Sequence, residues 1–220
     1  MEIVGYIASV LIGVSLGLVG SGGSILTVPV LVYLMGIHPL LATTSSLFIV
    51  GSTSLVGGIR AYTKKSADFK AVIEFGIPSV FSIFITRHYL LPALPDVFFS
   101  IGTLSVSKDM FLMVVFAILM VVSSVSMIRN KKRLSATADS NDQRSGKLQV
   151  VILGLIVGLV TGLLGAGGGF LIIPSLVLFL RLDMKTAIGT SLLIIAINSL
   201  LGFLFSYNQF DYNWKVMLLV

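Results

Sequence analysis

The sequence predicts an all-α fold: a polytopic bundle of transmembrane helices made of two internal repeats, inverted relative to each other, each opening with a glycine-broken helix. Three observations predict it. Apolar residues are 56% of the 220 residues and charged residues only 11%, with a mean hydropathy of +1.05; a soluble domain carries about a quarter charged residues. Apolar runs recur at the length of roughly 18 residues that a hydrocarbon core about 30 Å thick demands. Within those runs, "GLVGSGGSILTVP" (Gly17–Pro29) returns as "GLLGAGGGFLIIP" (Gly162–Pro174).

In chain order the apolar segments are Ile3–Gly20, Ser24–Met35, Leu40–Arg60, Ala71–Leu91, Met110–Ile128, Leu148–Gly165, Phe170–Leu180 and Thr186–Tyr207, and a last one begins near Asn213. Each is expected to be helical, because backbone exposed to lipid must satisfy its hydrogen bonds within its own segment. The roughly ten-residue alternating strands of a membrane barrel are not seen. The N-terminus, "MEIVGYIASVLIG", lacks the basic head of a signal peptide, so the first helix is expected to stay. Arg87–Asp109, "RHYLLPALPDVFFSIGTLSVSKD", is too apolar for a free loop and too rich in Pro, Gly and Asp for a span; it is expected to lie at the membrane surface. Arg129–Lys147, "RNKKRLSATADSNDQRSGK", is polar and basic and reads as a flexible linker. The domain division is therefore 1–128, a first transmembrane repeat; 129–147, a cytoplasmic linker; and 148–220, a second repeat.

A shift of 145 residues lays Gly17–Gly57 on Gly162–Gly202 without a gap, with 16 identities in 41 positions. Matched Leu and Val would follow from composition alone. Matched Gly20, Gly22, Gly23, Pro29, Ser46, Ser54 and Gly57 with Gly165, Gly167, Gly168, Pro174, Ser191, Ser199 and Gly202 would not, so the chain contains a repeat. The second copy is short by about one hairpin, and the chain is expected to be incomplete.

Orientation follows from positive charge, which collects on the cytoplasmic side. If the chain turns back at each glycine run, the halves are inverted and 12 of the 15 Lys and Arg fall on one side; if each run lies within a single crossing, 11 do. Length favours the turn: Ser24–Met35 would reach only about 18 Å as a helix. The expected location is the cell membrane, multi-pass, with the linker in the cytoplasm.

Composition also excludes function classes. The net charge of +6 lies in short loops between apolar runs, so it argues orientation and not nucleic-acid binding. The absence of cysteine removes thiolate metal sites and cysteine nucleophiles. An intramembrane enzyme would need HExxH, paired membrane aspartates or GxSxG; none is present, and no cofactor or metal is expected. The glycine runs follow no strand and precede no Gly-Lys-Ser/Thr, so they are not nucleotide loops.

Glycine can serve close helix packing, or it can end one half-helix and expose the N-terminus of the next. In the second case the amides of Ser21, Gly22, Gly23 and Ser24, and of Ala166, Gly167, Gly168 and Gly169, point into a cavity, where their partial positive charge favours anions. Broken helices at equivalent places in two halves are the sequence pointer to a transporter site. The duplicated "ATTSS" and "AIGTS" add Thr44, Ser45, Ser46, Thr190 and Ser191 as neutral donors, with helix capping as the rival role. Asn198, a mid-helix amide opposite Thr53, faces either substrate or a partner helix. Glu74, one turn after Lys70, makes an ion pair with it or titrates during coupled transport. His38 and His88 fall near helix ends and are expected at the interface.

These residues resemble the sulfite exporter TauE/SafE family of membrane transporters: the doubled "GSGGSILTVP" and "GAGGGFLIIP", the following "ATTSS" and "AIGTS", and the polar close of each unit, "SADFK" and "DYNWK". The resemblance covers essentially the whole chain. It implies a small anionic substrate, sulfite or a related sulfur oxyanion or organosulfonate, moved by alternating access. Two helix N-termini and hydroxyls, with no fixed buried arginine, suit an oxyanion that must be released again. The alternatives are a carrier of small carboxylates or cations, or a non-transporting membrane scaffold. The expected partners are the anion and the lipid bilayer, with a homo-oligomer left open.

Overall fold

The computed structural model describes residues 13, 24–95, 97–101, 104–108, 110–118, 120, 121, 125, 147–165 and 168–206. Linker residues 129–146 and most of the first apolar segment lie outside these residues.

The described chain is dominated by helices. Helix α1 (Ser24–Pro29) runs on as a π-helical turn, Val30–Leu34. Proline has no N–H and its ring crowds the preceding carbonyls, so the regular hydrogen-bond ladder ends at Pro29. Helix α2 (Pro39–Thr63) opens with Pro39 in its first turn, directly after His38, where the missing N–H breaks no bond. Asp68 caps the next helix by accepting from the amides of Lys70 and Ala71 at 2.9 and 3.2 Å. That helix, α3 (Phe69–Ala93), is continuous through a π-helical turn at Thr86–Leu90. Then come α4 (Lys147–Leu164), α5 (Gly169–Phe179) and α6 (Met184–Ser206). Three of these, α2, α3 and α6, are long and apolar enough to cross a membrane.

The expectation that Arg87–Asp109 lies at the membrane surface is corrected for its first part. Its first seven residues complete the spanning helix α3 and do not lie at the surface, because Pro92 stands in the opening turn of the segment after the π-helical turn, where a proline is tolerated. Farther on, Val97–Ile101 (β1) pairs antiparallel with Leu104–Ser107 (β2) in a short hairpin, a local departure from the helical bundle.

Helices α1 and α5 begin 145 residues apart, as do α2 and α6. The long pair α2 and α6 packs antiparallel along its length. A methyl added at Gly57 would stand 3.1 Å from Leu192, and one at Gly202 would stand 3.3 Å from Leu47. Each contact is the image of the other under the 145-residue shift. Phe48 and Phe203, with ring centroids 5.2 Å apart, mirror the contact of Leu193 with Gly58 in the same way.

Helix α3 lies along both α4 and α6. Its approach to α4 is close enough that a methyl at Gly158 would fall 2.3 Å from the Ser79 carbonyl oxygen. Gly154, Gly158 and Gly162, spaced by four, line this seam, which is the small-residue stripe through which membrane helices approach each other. Around it Phe75, Val157, Ile172, Leu176, Ile194 and Ile195 form the main apolar core.

Candidate functional site

Two described glycines of the second glycine run break the helix between α4 and α5. Gly165 and Gly168 have φ of +68° and +64°, the left-handed region that glycine enters without a Cβ penalty. Gly165 ends α4 and Gly168 is the N-cap of α5. A side chain at either would collide with a neighbour: 2.1 Å from the Thr43 carbonyl oxygen at Gly165, 1.9 Å from Thr161 Oγ1 at Gly168. The amides that open α5 have no acceptor within their own helix, and the positive end of that helix favours negative charge.

The turn is seated against the start of α2. Ser46 donates to the Gly165 carbonyl and also to Thr43 O at 2.9 Å. A glycine turn from one half of the chain thus meets the hydroxyl-bearing helix start of the other. Thr43, Thr44, Ser45 and Ser46 are all buried there. Thr161 is buried beside Gly168, and its hydroxyl has no hydrogen-bond partner among the described residues.

Arg87 completes this end of the bundle, and the expectation of a site without a buried arginine is overturned. Its side chain is fully buried, donating to Thr44 Oγ1 at 3.0 Å and reaching Ser206 Oγ at 3.5 Å. The guanidinium therefore ties α3 to the start of α2 and the end of α6. It is the one buried charged side chain among the described residues. A π-helical turn begins at Thr86, immediately before it; such turns inside helices recur at functional sites. The sequence signal that bears on Arg87 is the length of α3, which places it 18 residues from the start at Phe69, inside a span.

The other expected residues are distributed differently. Thr190 Oγ1 accepts from the Asp68 amide at 2.9 Å, so it holds the α2–α3 loop. Ser191 donates to Ile188 O at 2.8 Å within its own helix, as Ser46 does to Thr43. Since Leu192 lies against Gly57, Ser191 is separated from Ser46 by about twelve residues of helix, roughly 18 Å at 1.5 Å per residue. The two hydroxyl sets therefore do not converge on one point; they lie toward opposite ends of the α2–α6 pair. Asn198 is fully buried and faces a partner helix: Nδ2 donates to Ser79 Oγ at 2.6 Å, while Oδ1 has no hydrogen-bond partner among the described residues. Glu74 is half-buried on α3, and the expected ion pair with Lys70 does not form. Ser24 and Gly169 open α1 and α5. Ser21, Gly22, Gly23, Ala166 and Gly167 lie outside the described residues.

Apolar spanning helices joined through a glycine-broken turn, with hydroxyls and a buried cation gathered at one end, define a multi-pass membrane protein of the transporter class. The comparisons agree: residues 6–220 match the sulfite exporter TauE/SafE family, and the chain belongs to it. It is 29% identical to a probable membrane transporter protein of Xylella fastidiosa over 212 residues, which cover 94% of this chain and 74% of the relative. A probable membrane transporter protein of Methanocaldococcus jannaschii is also 29% identical, over 93% of this chain and 70% of its own length. The probable membrane transporter protein YunE of Bacillus subtilis is 25% identical, over 95% and 81%. No solved structure matches the chain.

Proposed function

We propose that the protein carries small anions across the cell membrane by alternating access, with sulfite or a related sulfur oxyanion or organosulfonate as the substrate. The observation that carries this reading is the Gly165–Gly168 turn. It sets the N-terminus of α5 beside Thr161, whose hydroxyl has no hydrogen-bond partner among the described residues, at the end of the bundle where Arg87 is buried. Helix-end amides and hydroxyls bind an oxyanion through several weak bonds, which allows release. The single charge of Arg87 offsets that of the anion while its planar fork matches two oxygens at once.

The two halves are read as inverted repeats, supported by the antiparallel, mutually imaged packing of α2 and α6. In this reading the basic loops and the 129–147 linker face the cytoplasm, and Glu74 is the candidate for proton coupling.

The test is flux in proteoliposomes of sulfite, thiosulfate, taurine, sulfate and acetate, with and without a pH gradient. Saturable flux of one sulfur compound is expected, strongly reduced in Thr161→Val. That variant is near-isosteric and removes a hydroxyl with no hydrogen-bond partner among the described residues, so its folding is expected to be intact. Acetate flux instead would identify a carboxylate carrier, cation flux a cation carrier, and no flux by folded protein a scaffold. Loss of the pH-gradient response in Glu74→Gln with basal flux retained would support coupling through Glu74.

A further inference from the structure

A second feature lies at the opposite end of the α2–α6 pair from Arg87. A cavity of about 790 Å³ opens between the C-terminal half of α2 and the N-terminal part of α6. Arg60, Lys64 and Lys185 stand on its wall, and no carboxylate is among its described lining residues. None of the three makes an ion pair with another described residue. The cavity reaches Thr53, near the middle of α2; the eleven residues from Thr53 to Lys64 span about 16 Å of helix, roughly half the hydrocarbon thickness. Val56 and Leu192 give its walls an apolar lining.

Helix electrostatics alone does not explain these cations. Arg60 and Lys64 suit the negative C-terminal end of α2. Lys185 is the second residue of α6, where the helix dipole disfavours a positive charge. Membrane orientation calls for cations on one face, but not for three of them around one cavity that descends to mid-membrane. The volume also exceeds what one small oxyanion fills, since pockets of about 300–1,000 Å³ hold drug-sized ligands. A cleft lined by one sign of charge with low-dielectric walls concentrates counter-ions.

We propose that this cavity is an aqueous anion vestibule, through which small anions reach the interior of the bundle, and that Arg60, Lys64 and Lys185 concentrate them there. The inference rests on the anion-transport reading for its purpose. Its physical content, a water-filled and anion-selective cavity, stands on the lining residues alone.

The native chain has no cysteine, so single cysteines report local access directly. Thr53→Cys and Val56→Cys, placed in the full chain in lipid vesicles, would each be reacted with anionic and cationic methanethiosulfonates applied to either face. Rates are normalised to those of a free thiol in solution. The anionic reagent is expected to be favoured about tenfold or more from one face only, and the preference is expected to collapse in Arg60→Gln/Lys185→Gln without loss of access. Ile77→Cys, exposed on α3, gives the lipid-facing baseline. Three results would overturn the proposal: no reaction above that baseline, an equal normalised rate for both reagents, or reaction in neutral lipid that anionic lipid abolishes, which would make the cavity a lipid-headgroup site. None of these readouts depends on flux. A failed transport assay with an anion-selective vestibule, and the reverse, are therefore separate outcomes.

Discussion

The Arg87 guanidinium donates to the Thr44 hydroxyl at 3.0 Å inside the bundle, joining the far end of α3 to the first turns of α2. Thr44 in turn donates to Leu40 O at 3.2 Å, so its hydroxyl is both donor and acceptor in one short chain of bonds. A charge-assisted bond of this kind is stronger than a neutral one, and in a water-poor interior its loss leaves a buried donor unmet.

Thr44→Val keeps the shape and removes the acceptor. It is expected to cost about 1.5–3 kcal/mol, read as a lower apparent Tm in detergent. Thr44→Ser is expected to restore most of the loss. Equal Tm values for Thr44→Val and the parent protein would show that this bond does not hold the helix ends together.

Two glycine-to-alanine changes should have opposite signs. Gly165→Ala places a methyl 2.1 Å from the Thr43 carbonyl oxygen in a left-handed backbone; strain of both kinds is expected to destabilise by more than about 3 kcal/mol. Gly76→Ala, within α3 and with nothing within 4 Å of the added methyl, is expected to stabilise by about 0.5–1 kcal/mol through helix propensity. Comparative thermal unfolding checks both.

Asn198 and Ser79 should be energetically coupled. A double-mutant cycle of Asn198→Ala and Ser79→Ala is expected to give about 0.6 kcal/mol, the typical value for interhelical hydrogen bonds in membranes. A coupling of zero would mean that the 2.6 Å contact contributes no net stability.

Asp183 supplies a pH dependence. Its side chain accepts from the Thr186 amide at 3.1 Å just before α6, and bonding by the Thr186 side chain and amide holds its pKa below the usual 3.8. A lowered folded-state pKa gives stability that is present above pH 3.8 and lost as pH falls through the lower value. Because the group is exposed, screening keeps the effect small. Asp183→Asn retains a capping oxygen, so its acid limb is expected to flatten below pH 3.8, measured as Tm against pH.

Sequence alone determined the class of the protein, the helix break at its second glycine run and the positions of its helix starts. These are local properties. Hydropathy over one segment sets whether it enters lipid, and a glycine cluster followed by proline interrupts a helix wherever it lies. The matched starts of α1 and α5, and of α2 and α6, fall where the 145-residue shift puts them. Tertiary structure decided what depended on distant residues meeting. Arg87 read as interfacial because two prolines follow it, yet α3 passes through the first of them, Pro92, and α2 and α6 close around its guanidinium. Thr44 and Thr190 occupy similar positions in the two helices, but one receives Arg87 and the other the Asp68 amide. The separation of the two hydroxyl sets has the same origin. Antiparallel packing sends equivalent positions to opposite ends of a helix pair, a consequence of three-dimensional contact that no single segment encodes.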